Sequence, residues 1–109
     1  MKISFDYDGV LSEVRYQKLA SKFISEGHDV YITTSRFEEE SRLFGCSNKK
    51  LKVIASNLGI TEDKIRYTNG GDKYPLLEDF DIHFDDNQVD IELIEENLEF
   101  CNGVLIYDP

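Results

Sequence analysis

Five short runs rich in β-branched and aromatic residues alternate with segments whose apolar residues recur at helical spacing, and this alternation most limits the folds open to the chain. Ile3 to Tyr7 reads as a first strand, after which Gly9 permits a tight backbone path. Tyr16, Leu19, Ala20, Phe23 and Ile24 mark a helix that Gly27 stops. Val30 to Thr33 is a second strand, closed by Thr34-Ser35-Arg36. Beyond a polar stretch, 37–47, Leu51, Ile54, Ala55 and Leu58 mark a second helix, with Ser47 or Asn48 as cap and Gly59 as stop. Ile65 to Thr68 is a third strand, followed by the turn Asn69-Gly70-Gly71-Asp72. Pro75 suits the first turn of a short helix, which leaves Lys73 and Tyr74 extended or at its start. Ile82 to Phe84 gives a fourth strand, Val89 to Leu98 a helix with Ile91, Ile94 and Leu98 on one face, and Val104 to Tyr107 a fifth strand.

Strands that alternate with helices predict an α/β fold: a doubly wound, Rossmann-like, five-stranded parallel sheet with right-handed crossovers and helices on both faces. The expected strand order is 3-2-1-4-5. Strands one and four are then neighbours, and the chain changes direction between them, where ligands bind at the carboxyl ends of such strands. At 109 residues and 40% hydrophobic, the chain is expected to form one domain over 1–109.

Two pairs of aspartates fall at that crevice: Asp6 and Asp8 after the first apolar run, Asp85 and Asp86 after the fourth. Residues two apart on a strand point the same way, so Asp6 and Asp8 are expected to share one site while Tyr7 turns aside. Four gathered carboxylates repel one another and lift each other's pKa unless a cation sits among them. Magnesium suits such hard oxygen donors. A calcium loop of EF-hand type is excluded, since the bidentate Glu and the third spaced acid are missing after Asp8-Gly9. In such a site Asp6 would bind the metal and attack phosphorus, and Asp8, at the bend, would protonate a leaving oxygen and later take a proton from water.

The formal charge of −10 argues against a duplex nucleic-acid-binding surface, which needs many Lys and Arg contacts to phosphates. No Lys or Arg follows Lys73, whereas eleven acids do, so most of that charge is expected on a solvated helix face. Cys46 and Cys101 lack metal-ligand spacing, and the start Met1-Lys2-Ile3-Ser4-Phe5 does not read as a secretory signal, so a reduced, cytoplasmic protein is expected. No apolar run approaches the ~20 residues of a membrane span. Arg36, Arg42, Lys49, Lys50 and Lys52 could receive a nucleotide or nucleic-acid end, but Glu38, Glu39 and Glu40 lie among them, so the group as a whole reads first as an ordinary solvated face, with Arg36 the exception. His83, inside an apolar strand, reads as a satisfied core imidazole, and Asp90 as an acid suited to a helix start.

Phe5-Asp6-Tyr7-Asp8-Gly9-Val10-Leu11 resembles the DxDG(T/V)L first motif of the haloacid dehalogenase-like (HAD) superfamily of phosphatases. Val30 to Arg36 is similar to its second motif, with Thr34 matching the phosphate-binding hydroxyl. Lys73 matches the third-motif lysine, and Asp85-Asp86, with Asp90 four positions on, the acidic fourth motif. The resemblance implies that Asp6 is nucleophile and metal ligand and Asp8 the acid/base with its backbone carbonyl on the metal. It implies that Asp86 is the direct fourth-motif ligand, supported by Asp85, with Asp90 behind them. It further implies that Thr34 and Lys73 meet the phosphoryl group and that the cofactor is Mg2+; Ser35 and Arg36 are substrate-binding candidates by their position just after Thr34.

About 25 residues separate the first two motifs and fewer than 40 the next two, which leaves no room for a cap domain. Capless members of this superfamily resemble enzymes whose crevice admits bulky phosphoesters, and oligomerisation is another way to cover such a site. The expectation is therefore a magnesium-dependent phosphohydrolase acting on a phosphomonoester, a phosphorylated small molecule or a nucleic-acid end. The rival is a catalytically silent binding or scaffolding protein that keeps the metal and phosphate site. A receiver-type signalling domain is the wrong match, because its acceptor ends the third strand and Ile65 to Thr68 offers no Asp.

Overall fold

In a computed structural model, residues 1–39 and 47–107 are described. Most of the polar stretch 37–47, with Arg42 and Cys46, lies outside them. Alternating apolar residues build one face of a parallel sheet from β1 (Lys2–Phe5), β2 (Asp29–Thr34), β3 (Ile65–Tyr67), β4 (Ile82–Asp85) and β5 (Asn102–Leu105). The order is β3-β2-β1-β4-β5, as expected, and all four pairings are parallel.

Ile3, Phe5, Val30, Ile32, Ile65, Ile82 and Phe84 face α1 (Val14–Ser25) and α2 (Lys49–Leu58) in one core layer. Phe5 stacks on Phe84 at 4.8 Å between ring centroids, and Phe23 of α1 closes the cluster. The anticipated helix faces, Tyr16-Leu19-Ala20-Phe23-Ile24 and Leu51-Ile54-Ala55-Leu58, are the ones that pack there. On the opposite face α3 (Gln88–Asn97) buries Ile91 and Ile94 against Leu77, Phe80 and Cys101. Crossovers of one hand impose this division: successive strands run outward to β3 on one side of β1 and to β5 on the other. Glu92, Glu95 and Glu96 take the solvent side of α3. No helix among the described residues is long and apolar enough to cross a membrane.

The inner residues of the three central strands on the α3 side are polar. Ser4, Thr33 and His83 are fully buried and linked, Ser4 Oγ lying 2.7 Å from Thr33 Oγ1 and 2.9 Å from His83 Nδ1. Among the described residues, no buried side-chain nitrogen or oxygen lacks a partner, as expected of a well-formed interior.

Two strands, β5 and β1, depart by two residues from the sequence reading. β5 begins at Asn102, because the ladder with β4 pairs Ile82 with Asn102 and Asp85 with Leu105; Ile106 adds one more bond, to Asp85 O. β1 stops at Phe5, although Asp6 N still donates to Phe84 O, and the chain then enters the turn Tyr7–Leu11 with Gly9 at φ +76°. Asn48 does occupy the cap position of α2, but its side chain serves the neighbouring loop, with Nδ2 donating to Phe37 O. Gly59, left-handed at φ +82°, ends that helix.

Candidate active site at the ends of β1 and β4

Because β1 and β4 are paired, their last residues open into the same crevice. Asp6 follows β1 and Asp85 ends β4; both are buried, and Asp86 is exposed just beyond. One carboxylate oxygen from each of Asp6, Asp85 and Asp86 lies within 4.8 Å of the others. Lys73 reaches them from the start of the short 3-10 turn Tyr74–Leu76, where Pro75 occupies the first turn. Its Nζ donates to Asp6 Oδ1 at 2.9 Å and to Asp85 Oδ2 at 2.8 Å, with Asp90 Oδ2 3.5 Å away.

Asp85 is the most heavily held of the group. Its Oδ2 also meets His83 Nε2 at 2.8 Å, and its Oδ1 accepts from Asn87 N at 3.0 Å. Burial works against its charge, but the His83 hydrogen bond and the Lys73 ammonium outweigh burial and hold Asp85 below the ordinary carboxylate range. Asp6 goes the other way: burial, then the charge of Asp85, push it up to about 8 despite Lys73. Lys73 itself stays charged, since two adjacent carboxylates overcome its burial.

Burial keeps His83 neutral. Its Nε2–H therefore donates to Asp85, Nδ1 accepts from the Ser4 hydroxyl, and Ser4 in turn accepts from Thr33. With Asp6 ionised, three carboxylates face one ammonium and a neutral imidazole, an excess of two negative charges. A divalent cation would offset that excess, and an all-oxygen donor set fits magnesium. Gly9 passes so close that a Cβ there would sit 2.2 Å from Asp86 Oδ2, so only a glycine leaves that carboxylate its place.

Asp8 does not join the cluster through its carboxylate, contrary to the expectation of four gathered acids. The reason is local. The strand has ended, so alternation no longer applies at the Tyr7–Leu11 turn, and a guanidinium captures the side chain. Arg36 Nε donates to Asp8 Oδ2 at 2.9 Å and Nη2 to Oδ1 at 2.7 Å, a two-pronged clasp. That hydrogen-bonded guanidinium holds the Asp8 carboxyl below its usual range. Arg36 also lies over the Tyr7 ring and donates through Nη1 to Ser47 O at 2.9 Å.

Thr34, the last residue of β2, is fully buried, and its Oγ1 accepts from Arg36 N at 3.2 Å; Ser35 is exposed beside it. The chain matches no protein-family model and no curated protein. The residues that sequence reasoning passed over are His83 and Asn87, which orient Asp85, and the pairing of Arg36 with Asp8. His83 carried a legible signal, since it lies two positions from Asp85 on one strand and must share its face. Arg36 and Asp8 are 28 residues apart and carried none.

Proposed function

We infer that this protein is a magnesium-dependent phosphohydrolase of HAD type acting on a phosphomonoester. The observation that carries the reading is the buried Lys73 ammonium bridging Asp6 and Asp85 beside Asp86, at the carboxyl ends of adjacent parallel strands. Asp6, Asp85 and Asp86 would hold magnesium, which when bound supplies charge that shields the nucleophile from the phosphoryl oxygens. Asp6 attacks phosphorus in line and forms an aspartyl-phosphate. Lys73 and Thr34 hold the equatorial oxygens; Asp8, protonated from solvent once it leaves the guanidinium, gives that proton to the departing oxygen and then takes one from the water that cleaves the adduct.

The clasp on Asp8 favours a second reading, a silent protein that keeps the site but no turnover, because both oxygens of the acid/base are engaged. Phosphate release, with and without magnesium, from an aryl phosphate, nucleotides and a 3′-phosphorylated oligonucleotide separates the two. Magnesium-dependent turnover that Asp6→Asn abolishes supports the enzyme. Magnesium binding without turnover on any of these leaves the silent protein.

A further inference from the structure

Arg36 stands at a junction. Its Nε and Nη2 engage both oxygens of Asp8, while its Nη1 reaches Ser47 O at 2.9 Å and Asn48 Oδ1 at 3.4 Å, where α2 begins. Ser47 is also the near end of an open groove of about 630 Å³ that runs along α2 past Lys49, Lys52 and Ser56. Lys49 and Lys52 are exposed and make no ion pair with any described residue, in a chain whose net charge is −10. Two exposed ammonium groups therefore line the groove whose end Arg36 reaches through Ser47, with Glu38 and Glu62 beside Lys52 on its other side.

For Asp8 to reach a leaving oxygen, one of its oxygens must come free of the guanidinium. An anion offered by the substrate is the natural exchange partner, since a phosphate accepts the same two-pronged donation as a carboxylate. A lone phosphomonoester has no second anion to offer. Resting on the phosphohydrolase reading, we propose that Arg36, with Lys49 and Lys52 along the groove, binds a second phosphate of the substrate and in doing so releases Asp8. The substrate class is then a phosphomonoester that carries a further phosphate: a nucleoside bisphosphate or the phosphorylated end of an oligonucleotide. Once free of the guanidinium, Asp8 takes a proton from water; in the step itself a bond forms from Asp6 to phosphorus, the phosphorus–oxygen bond to the leaving group breaks, and Asp8 passes that proton to the departing oxygen.

The test begins with binding, so that it stands apart from turnover. A fluorescein-labelled, 3′-phosphorylated tetranucleotide is titrated by anisotropy onto Asp6→Asn protein in magnesium, with a nucleoside 3′,5′-bisphosphate and inorganic phosphate as competitors. Either two-phosphate ligand is expected to bind at least about tenfold more tightly than inorganic phosphate, and Arg36→Ala or the pair Lys49→Ala/Lys52→Ala to remove most of that advantage. A tetranucleotide that outcompetes the bisphosphate points to a strand end, and equal competition to a small molecule. Inorganic phosphate binding as well as either ligand, or an advantage unchanged in both variants, overturns the proposal.

In the active protein the readout is the ratio of kcat/KM for the tetranucleotide to that for an aryl phosphate. It is expected to fall about tenfold in both variants, and Arg36→Lys, which keeps the charge but not the fork, to restore only part of it. An unchanged ratio overturns the proposal. Tight, Arg36-dependent binding with no turnover would uphold the phosphate subsite and overturn the phosphohydrolase reading.

Discussion

His83 and Asp85 share one face of β4, and the imidazole Nε2 lies 2.8 Å from the same carboxylate oxygen that accepts from Lys73. A buried side chain outside the crevice therefore sets the orientation of an acid within it. The chain of donors from Thr33 through Ser4 to His83 ends on Asp85, so removing any link leaves a buried polar group short of a partner.

His83→Leu is expected to destabilise the fold by about 2 kcal/mol, the cost of stranding the Ser4 hydroxyl and stripping Asp85 of one donor. Ser4→Ala removes the neighbouring link. Denaturant unfolding of both single variants and the double variant should give a double-variant loss smaller than the sum, because the second change removes a bond already broken. Simple additivity would show that the two residues do not act as one network.

Magnesium is expected to raise the thermal midpoint of the wild-type protein, since a ligand that binds only the folded state stabilises it by about 2.7 kcal/mol at a hundred times its dissociation constant. Asp86→Asn should abolish most of the rise. That carboxylate is exposed and has no resolved role in packing, so the variant's stability without magnesium should change little. An equal magnesium response in the two proteins would place the ion elsewhere.

Gly9→Ala and Gly27→Ala separate backbone strain from crowding. Both glycines have positive φ, +76° and +89°, so each substitution is expected to cost about 1–2 kcal/mol. Only at Gly9 does the added carbon meet Asp86; at Gly27 nothing lies within 4 Å. Magnesium affinity, measured by calorimetry, should therefore weaken in Gly9→Ala and hold in Gly27→Ala. Equal affinities would mean that Asp86 is free to move aside at no loss.

In magnesium-free buffer the raised Asp6 makes the protein less stable as pH rises. Its ordinary value is 3.8 and its folded value about 8, so across that window the folded state holds the proton that the unfolded state has released. The stabilisation is complete below the lower value and is lost by the upper one. Asp85, held low, does not alter that slope: its own gain is complete above 3.8 and is lost only as pH falls toward about 2. Urea midpoints at about pH 5 and about pH 8.5 should fall further for wild type than for Asp6→Asn; parallel curves would contradict the assignment.

Periodicity made most of the fold legible, because each helix shows one apolar face to one side of the sheet and each central strand alternates between two environments. It failed at β5. Asn102 and Gly103 offer no apolar signal, yet α3 approaches so closely that a Cβ on Gly103 would lie 3.1 Å from Ile91 Cδ1, which is why a glycine stands in that strand. The positions of Asp6, Asp85 and Lys73 followed from strand ends and a proline-led turn. What could not be read was the partner of Asp8, since a side chain beyond the last strand residue obeys no alternation and its cation arrives from another loop.

The polar strip of Ser4, Thr33 and His83 has a consequence for assembly. A one-residue slip of β4 along β1 would turn His83 and Asp85 toward Phe5 and Phe23 and carry Phe84 to the hydroxyls of Ser4 and Thr33. Misaligned chains would thus be penalised on both sides of the sheet at once, and the interior itself discriminates against the wrong strand alignment before any ligand has bound.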